Sequence, residues 1–221
     1  FNPMCDRNRQ AKKKKCKNKD CNKLFDQIRF GQVACSIQCA IEIDRQKRKA
    51  KEAKEWRQEK KLRKEKLKTL NDWCKDLETE INKIVRLIDK GNPCMMCSVH
   101  PMKKVNACHY HSVGSSPSLR FNLFNEWTGC ESCNNHQGGN IHGYDILLIE
   151  KYGREKWEYI KFDLIRLYPY LGLTIPELKE KIKEARKIVK ELKSIDLLTP
   201  YPYSLRWSMR EKYNKRLKIY L

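Results

Sequence analysis

Cys94-x-x-Cys97 and Cys130-x-x-Cys133, with 32 residues between the pairs, form the strongest chemical pattern in the sequence. Two thiolates at this spacing reach one tetrahedral ion at ~2.3 Å, and two such pairs close a zinc shell with no position left open for chemistry. The zinc is therefore expected to be structural. It would order a short stretch that lacks an apolar core, because metal binding is there folding free energy. A second set, Cys16, Cys21, Cys35 and Cys39, has four, thirteen and three residues between its members. A second structural Zn²⁺ is expected at this set. Eleven cysteines is an odd count, and in a reducing compartment metal binding explains them better than a disulfide framework. Cys5, Cys74 and Cys108 are left over, as small buried hydrophobes or free thiols.

Between the two knuckles lies Ala107-Cys108-His109-Tyr110-His111, and after the last cysteine lies Asn134-Asn135-His136. On a strand alternate residues share a face, so His109 and His111 would point together, away from Cys108 and Tyr110. A strand histidine, an asparagine before the second knuckle and a polar metal ligand after it resemble the ββα-metal, or HNH, nuclease arrangement. In that arrangement neutral His109, with an ordinary pKa near 6.5, would take a proton from the attacking water. Asn125 would hold the strand and orient the imidazole. Asn134, with either His136 or His111, would present one Mg²⁺ or Mn²⁺ to the scissile phosphate and the leaving 3′ oxygen.

The elements around these residues follow from charge and periodicity. The 221 residues carry 48 Lys+Arg against 27 Asp+Glu, a formal +21, which favours polyanions. Residues 1–70 hold 23 Lys/Arg and 9 Asp/Glu, so most of the excess lies in the first third. Residues 44–68 contain neither Gly nor Pro and few apolar side chains, a composition for a solvated helix and not for a core. Cys35 and Cys39 lead straight into it, as in a treble-clef-like finger whose final ligands lie at a helix start. Leu70, Trp73, Leu77, Ile81, Ile84 and Ile88 recur on one helical face, ended by Gly91 and Pro93. Helices are also expected over Tyr144–Tyr152, Glu155–Tyr168 and from Thr174. There Thr174 and Glu177 have capping-box spacing, and Leu178, Ile182, Ala185, Ile188, Val189 and Leu192 share a face. After Pro202 the sequence reads as a Tyr-rich basic tail. The expected fold is mostly α with small zinc-stabilised α+β modules. It comprises a zinc finger (1–43), a basic helical linker (44–69), an HNH-like module with its leading helix (70–153), and a C-terminal helical region with a basic tail (154–221).

In order along the chain, the cysteine finger and basic helix (Cys16 to Lys68) are followed by Pro93-Cys94-x-x-Cys97, Ala107-x-His109-Tyr110 and Leu119-Arg120-Phe121. Then come Asn125, Cys130-x-x-Cys133-Asn134, Gly139-Asn140 and Tyr144. This pattern resembles the NinG/Rap recombination proteins of lambda-like phages over most of the chain. The resemblance implies a divalent-metal-dependent endonuclease of phage recombination, acting on Holliday junctions and D-loops and working as a homodimer. Two positions depart from the pattern. Cys108 stands where a junction-resolving endonuclease of T-even phages has a metal-binding Asp and where the family commonly has Gly. Trp127 stands where the family has a His.

DNA affinity would come from phosphate contacts by Arg120 and by the basic helix, with Arg45, Lys47, Arg48, Lys51 and Lys54 as candidates. Branched DNA is read by shape, so little sequence preference is expected. The apolar faces of Leu70–Ile88 and Leu178–Leu192 are candidates for a dimer interface or for intramolecular packing. No apolar run approaches the length of a membrane span. The N-terminal residues lack the apolar region of a signal peptide, so a cytoplasmic location in the bacterial host is expected. Two other functions share these features: a non-catalytic zinc-finger protein binding nucleic acid, and an HNH nuclease for linear duplex.

Overall fold

The computed structural model describes residues 13–195 and 200–220. Cys5 lies outside them. The chain divides into two units, Phe1–Leu67 and Lys68–Leu221.

In the first unit β1 (Lys14–Lys15) pairs antiparallel with β2 (Leu24–Phe25). A long helix, α1 (Ile37–Lys66), follows, with Ser36 as N-cap accepting from the Cys39 amide at 3.2 Å. Cys16, Ala34 and Ile43 form the buried centre, with Cys21, Cys35 and Cys39 packed against it. Past Ile43 the helix buries no residue. Its surface is joined by exposed ion pairs such as Lys51–Glu55 (3.9 Å) and Arg63–Glu59 (2.6 Å), each worth a few tenths of a kcal/mol. A boundary at residue 43 therefore does not exist as a break: the finger's last ligands and the basic segment share one helix.

The second unit is built on α2 (Leu70–Ile88), whose Thr69 and Asp72 form a reciprocal capping box. Its buried stripe, Leu77, Ile81, Ile84, Val85 and Ile88, packs against Leu178, Ile182, Ala185, Ile188 and Leu192 of α6 (Ile175–Ser194). The two apolar faces considered for a dimer interface thus cover each other within one chain. Between α2 and α6 come β3 (Val105–His109) and β4 (Glu126–Cys130), an antiparallel hairpin that sets Cys108 opposite Trp127 and His109 opposite Glu126. Next are α3 (Ile141–Tyr152), α4 (Arg154–Glu158), a π-helical turn over Tyr159–Asp163, and α5 (Leu164–Leu167). No helix of the described residues is long and apolar enough to cross a membrane.

The expected basic tail is instead a helix, α7 (Tyr203–Leu217), with Arg206, Met209, Arg210, Tyr213, Asn214 and Leu217 buried. Residues 154–220 therefore do not stand apart from the hairpin module. Asp89, the C-cap of α2 and 1 % exposed, explains the buried arginines. Its carboxylate accepts from Arg206 Nε (2.8 Å) and Arg210 Nη2 (2.8 and 2.9 Å), and from the Thr128 amide of β4 at 2.9 Å. Arg210 also donates to the carbonyls of Leu123 and Glu126, and its guanidinium lies 3.7 Å from the Trp127 ring centre. Burial alone would raise the Asp89 pKa, but the two guanidinium groups outweigh it and hold the carboxyl below its ordinary value. Asp89→Ala leaves two buried cations without their counter-charge and should cost about 3–5 kcal/mol. Denaturant unfolding measures this, and a loss under about 1 kcal/mol, within the range of an ordinary surface change, would contradict the role given to the cluster.

Candidate active site

Each cysteine set converges. The sulfurs of Cys94, Cys97, Cys130 and Cys133 lie within 4.8 Å of one another, as do those of Cys16, Cys21, Cys35 and Cys39. A tetrahedron with metal–sulfur bonds of ~2.3 Å has edges of about 3.8 Å. Cys97 and Cys130 are 3.8 Å apart, and Cys21–Cys35 and Cys35–Cys39 are 3.5 and 3.6 Å apart. Both tetrads fit a zinc ion. Hydrogen bonds that favour thiolate surround the second-unit set: the Met96 and Cys130 amides reach Cys94 Sγ at 3.4 and 3.3 Å, and Asn140 Nδ2 reaches Cys133 Sγ at 3.6 Å. Packing is close enough to exclude larger residues. A Cβ on Gly143 would meet the Met96 carbonyl at 2.0 Å, so α3 seats directly on the knuckle.

The pleat of β3 separates two environments. Cys108, 2 % exposed, faces the cysteine side, where burial pushes its thiol up to about 12. It is a core residue facing away from the imidazole, so it does not compete with a hard-cation site. Trp127 likewise is fully buried beside Tyr152 and the Arg210 guanidinium. Ala107 and His109 take the opposite face.

His109 Nε2 lies 3.1 Å from the Arg120 carbonyl oxygen and 3.0 Å from Glu126 Oε1. A carbonyl only accepts, so Nε2 carries the proton and Nδ1 is the nitrogen able to take another. Glu126 is wholly buried, and neither carboxylate oxygen receives an aligned hydrogen bond; its contact with His109 is a charge contact beside the Nε2–H axis. Burial pulls the His109 pKa down, but the Glu126 carboxylate and the Arg120 carbonyl outweigh it and push it up to about 9. Burial also raises Glu126, against the pull of His109. The expectation of a neutral imidazole with an ordinary pKa is therefore corrected: the buried carboxylate makes the resting group a cation at neutral pH.

Asn125, itself buried, staples the segment that joins β3 to β4. Its Oδ1 accepts from the His111 amide at 2.8 Å, and its Nδ2 donates to the His111 and Leu119 carbonyls at 3.0 and 3.2 Å. His111 Nε2 in turn donates to the Ile160 carbonyl at 2.8 Å, in the π-helical turn where the helix ladder is interrupted. Burial lowers the His111 pKa, so its ring is neutral with Nδ1 as an available lone pair. His109, His111 and Asn134 line one cavity of about 630 Å³, together with Ser112, Gly139 and Lys161.

Two sequence candidates are elsewhere. His136 is exposed and is not among the residues lining the cavity, whereas His111 lines it together with Asn134. Arg120 is not a free phosphate contact: its guanidinium is paired with Glu78 of α2 at 2.6 Å and its side chain is 16 % exposed. Arg45, Lys47, Arg48, Lys51 and Lys54 are all exposed along α1. Glu126 was missed. Its one sequence signal is a single acidic residue between Asn125 and Trp127, in a stretch (121–130) with no other charge.

Metal analysis of the purified chain should find two zinc ions, and Cys130→Ser should lose one of them together with the fold of the second unit; one zinc or none in the parent would refute the two-site assignment. The His109 ring should titrate near pH 9 by NMR, and Glu126→Gln should bring it back toward the ordinary value. The groups facing it are Glu126, Glu78 with its partner Arg120, and Arg210 beyond Glu126. Because the folded pKa is raised, the pair's stabilisation is whole below about pH 6.5 and is lost as the pH climbs through about 9. An unchanged titration in the Gln variant would remove Glu126 as the cause.

The family described as Bacteriophage Lambda NinG protein matches residues 8–195. Protein ninG of Salmonella phage P22 is 30% identical over 158 residues, covering 65% of this chain and 78% of that protein. Protein ninG of Escherichia phage lambda is 30% identical over 157 residues, covering 65% and 77%. That of Escherichia phage 933W is 34% identical over 95 residues, covering 43% and 47%. No solved structure matches. With its cysteine tetrads and its His109 cavity inside the matched span, the chain belongs to the NinG family.

Proposed function

We propose that the protein is an endodeoxyribonuclease that hydrolyses phosphodiesters in branched DNA. The observation that carries this reading is the fixed tautomer of His109, backed by a buried carboxylate and lining one cavity with His111 and Asn134.

The chain's own residues would act as follows. With Nε2–H committed to the Arg120 carbonyl, Nδ1 of His109 takes a proton from the attacking water. Glu126 stabilises the imidazolium that forms, as a buried carboxylate behind a catalytic histidine does. Water oxygen bonds to phosphorus, the bond to the 3′ oxygen breaks, and that oxygen leaves with the electron pair. Asn125 keeps His109 and His111 in register by binding both backbone groups of His111. Asn134, whose Nδ2 donates to Asn135 at 2.8 Å, and His111 Nδ1 are neutral donors. They fit a Mg²⁺ or Mn²⁺ ion that keeps most of its waters and gains its counter-charge from the phosphate. When bound, that ion would supply charge stabilisation at the leaving oxygen. A cation near His109 also disfavours the imidazolium, which brings its pKa down toward the working range.

The exposed basic side chains along α1 support a DNA substrate, and a homodimer would present two sites to opposed strands of a junction. His109→Ala should abolish Mg²⁺-dependent cleavage of four-way junctions while junction binding persists. Cleavage retained by that variant would remove His109 from the reaction. Absence of any cleavage by the parent would favour a non-catalytic zinc protein, and equal cleavage of matched linear duplex would favour a nuclease without junction preference.

A further inference from the structure

The cavity has a second wall that the hairpin does not supply. Lys161 and Phe162, consecutive residues of the π-helical turn, line it together with the hairpin residues, and Lys161 is the one lysine or arginine among its lining residues. The extra residue of a π turn re-aims successive side chains and frees carbonyls. Here it places both side chains at the cavity and offers the Ile160 carbonyl to His111.

Lys161 is held in place. Its Nζ donates to Asp145 Oδ2 at 2.9 Å and sits 4.7 Å from the Trp157 ring centre. Asp145 Oδ1 is bound by Trp157 Nε1 at 2.6 Å and by the Tyr110 hydroxyl, so the carboxylate is shared among three donors. An ammonium has three protons, and the one given to Asp145 leaves two for an anion. Phe162 is 44 % exposed; its ring meets Trp157 edge to face with ring centres 5.8 Å apart, and the Lys161 ammonium lies 5.9 Å from the Phe162 ring centre. An oriented cation next to a part-exposed aromatic ring suits a nucleotide: phosphate on one, base on the other.

We propose that Lys161 and Phe162 form a nucleotide clamp in the cavity lined by His109, the ammonium binding the phosphodiester and the phenyl ring stacking on the exposed face of a base beside it. Resting on the nuclease reading, the clamp supplies that reading's substrate preference. A base in continuous duplex is already stacked on both faces and has none to offer, whereas a base flanking an open crossover has lost one stacking neighbour and presents that face. Preference for branched DNA would then come from the stack.

The test is binding of the full chain to DNA without added Mg²⁺, so that no cleavage is required. Phe162→Ala should weaken binding to an intact four-way junction about tenfold, the effect of one stacked base, and leave linear duplex binding unchanged. On a junction with abasic residues at the crossover, the parent should already bind weakly and the variant should lose nothing more, because the two changes remove the same contact. Lys161→Met should weaken binding to all these DNAs and reduce the salt dependence by about one phosphate contact, and Lys161→Arg should restore it. A Phe162→Ala protein that binds the intact junction as the parent does, or that loses as much on the abasic junction as on the intact one, overturns the clamp. These outcomes are independent of the His109→Ala result: cleavage retained there sinks the hydrolysis and leaves the clamp, and a failed cycle here sinks the clamp and leaves the hydrolysis.

Discussion

The second unit depends on one buried carboxylate. Asp89 ends α2, and by accepting from Arg206, Arg210 and the Thr128 amide it joins three elements far apart in sequence: α2, α7 and β4. A buried ion cluster of this kind need not add net stability over an apolar core, because desolvation cancels much of the attraction. Its contribution is specificity. Two guanidinium groups and one backbone amide can share a carboxylate in few arrangements, and the one adopted sets the height of β4 against α2.

Once β4 is fixed from that side and the cysteine tetrad holds it from the other, the pleat does the rest. Alternate residues must enter opposite environments. Cys108 and Tyr110 go to the cysteine-rich core, and His109 goes with Glu126 to the side of α2, where Arg210 and the Arg120–Glu78 pair bound the charges. A one-residue slip would exchange the two sets, burying the imidazole among thiols. Gly129 shows how little play there is: a Cβ there would lie 2.0 Å from Met96 Cε and 2.9 Å from Cys108 Sγ. The imidazole's tautomer is thus a consequence of register, and register is a consequence of charge and thiol geometry on the two sides.

Much of this was legible in the sequence because it rests on local rules. Paired CxxC spacing located one tetrad, the 3.6-residue periodicity located α2 with its bounds, and the Thr174–Glu177 box located the start of α6. What stayed hidden was set by charges satisfying one another across the fold. The α7 helix read as a basic tail because its buried face contains Arg206, Arg210 and Asn214, residues that count as polar until Asp89, Asn122 and the Leu123 carbonyl are brought to them. Arg120 read as a phosphate contact because Glu78 is 42 residues away in sequence. Glu126 was invisible for the same reason: its role exists only opposite His109. The hold on His111 comes from the Ile160 carbonyl of the π-helical turn, which no spacing rule indicates.

The charge balance of the cavity decides what it attracts. Its lining residues include no Asp or Glu; the nearest carboxylates, Glu126 and Asp145, lie behind His109 and Lys161 and are occupied by them. The resting cavity is therefore positive, with an imidazolium on one wall and an ammonium on the other, and neutral amide and imidazole donors between. Such a site repels a free divalent cation and attracts a phosphodiester. Under the nuclease reading, a bound phosphodiester would bring the counter-charge for a divalent ion held by Asn134 and His111, and such an ion would disfavour the extra proton on His109. Burying a carboxylate behind the histidine, instead of placing one in front of it, is what leaves the lining without a negative charge.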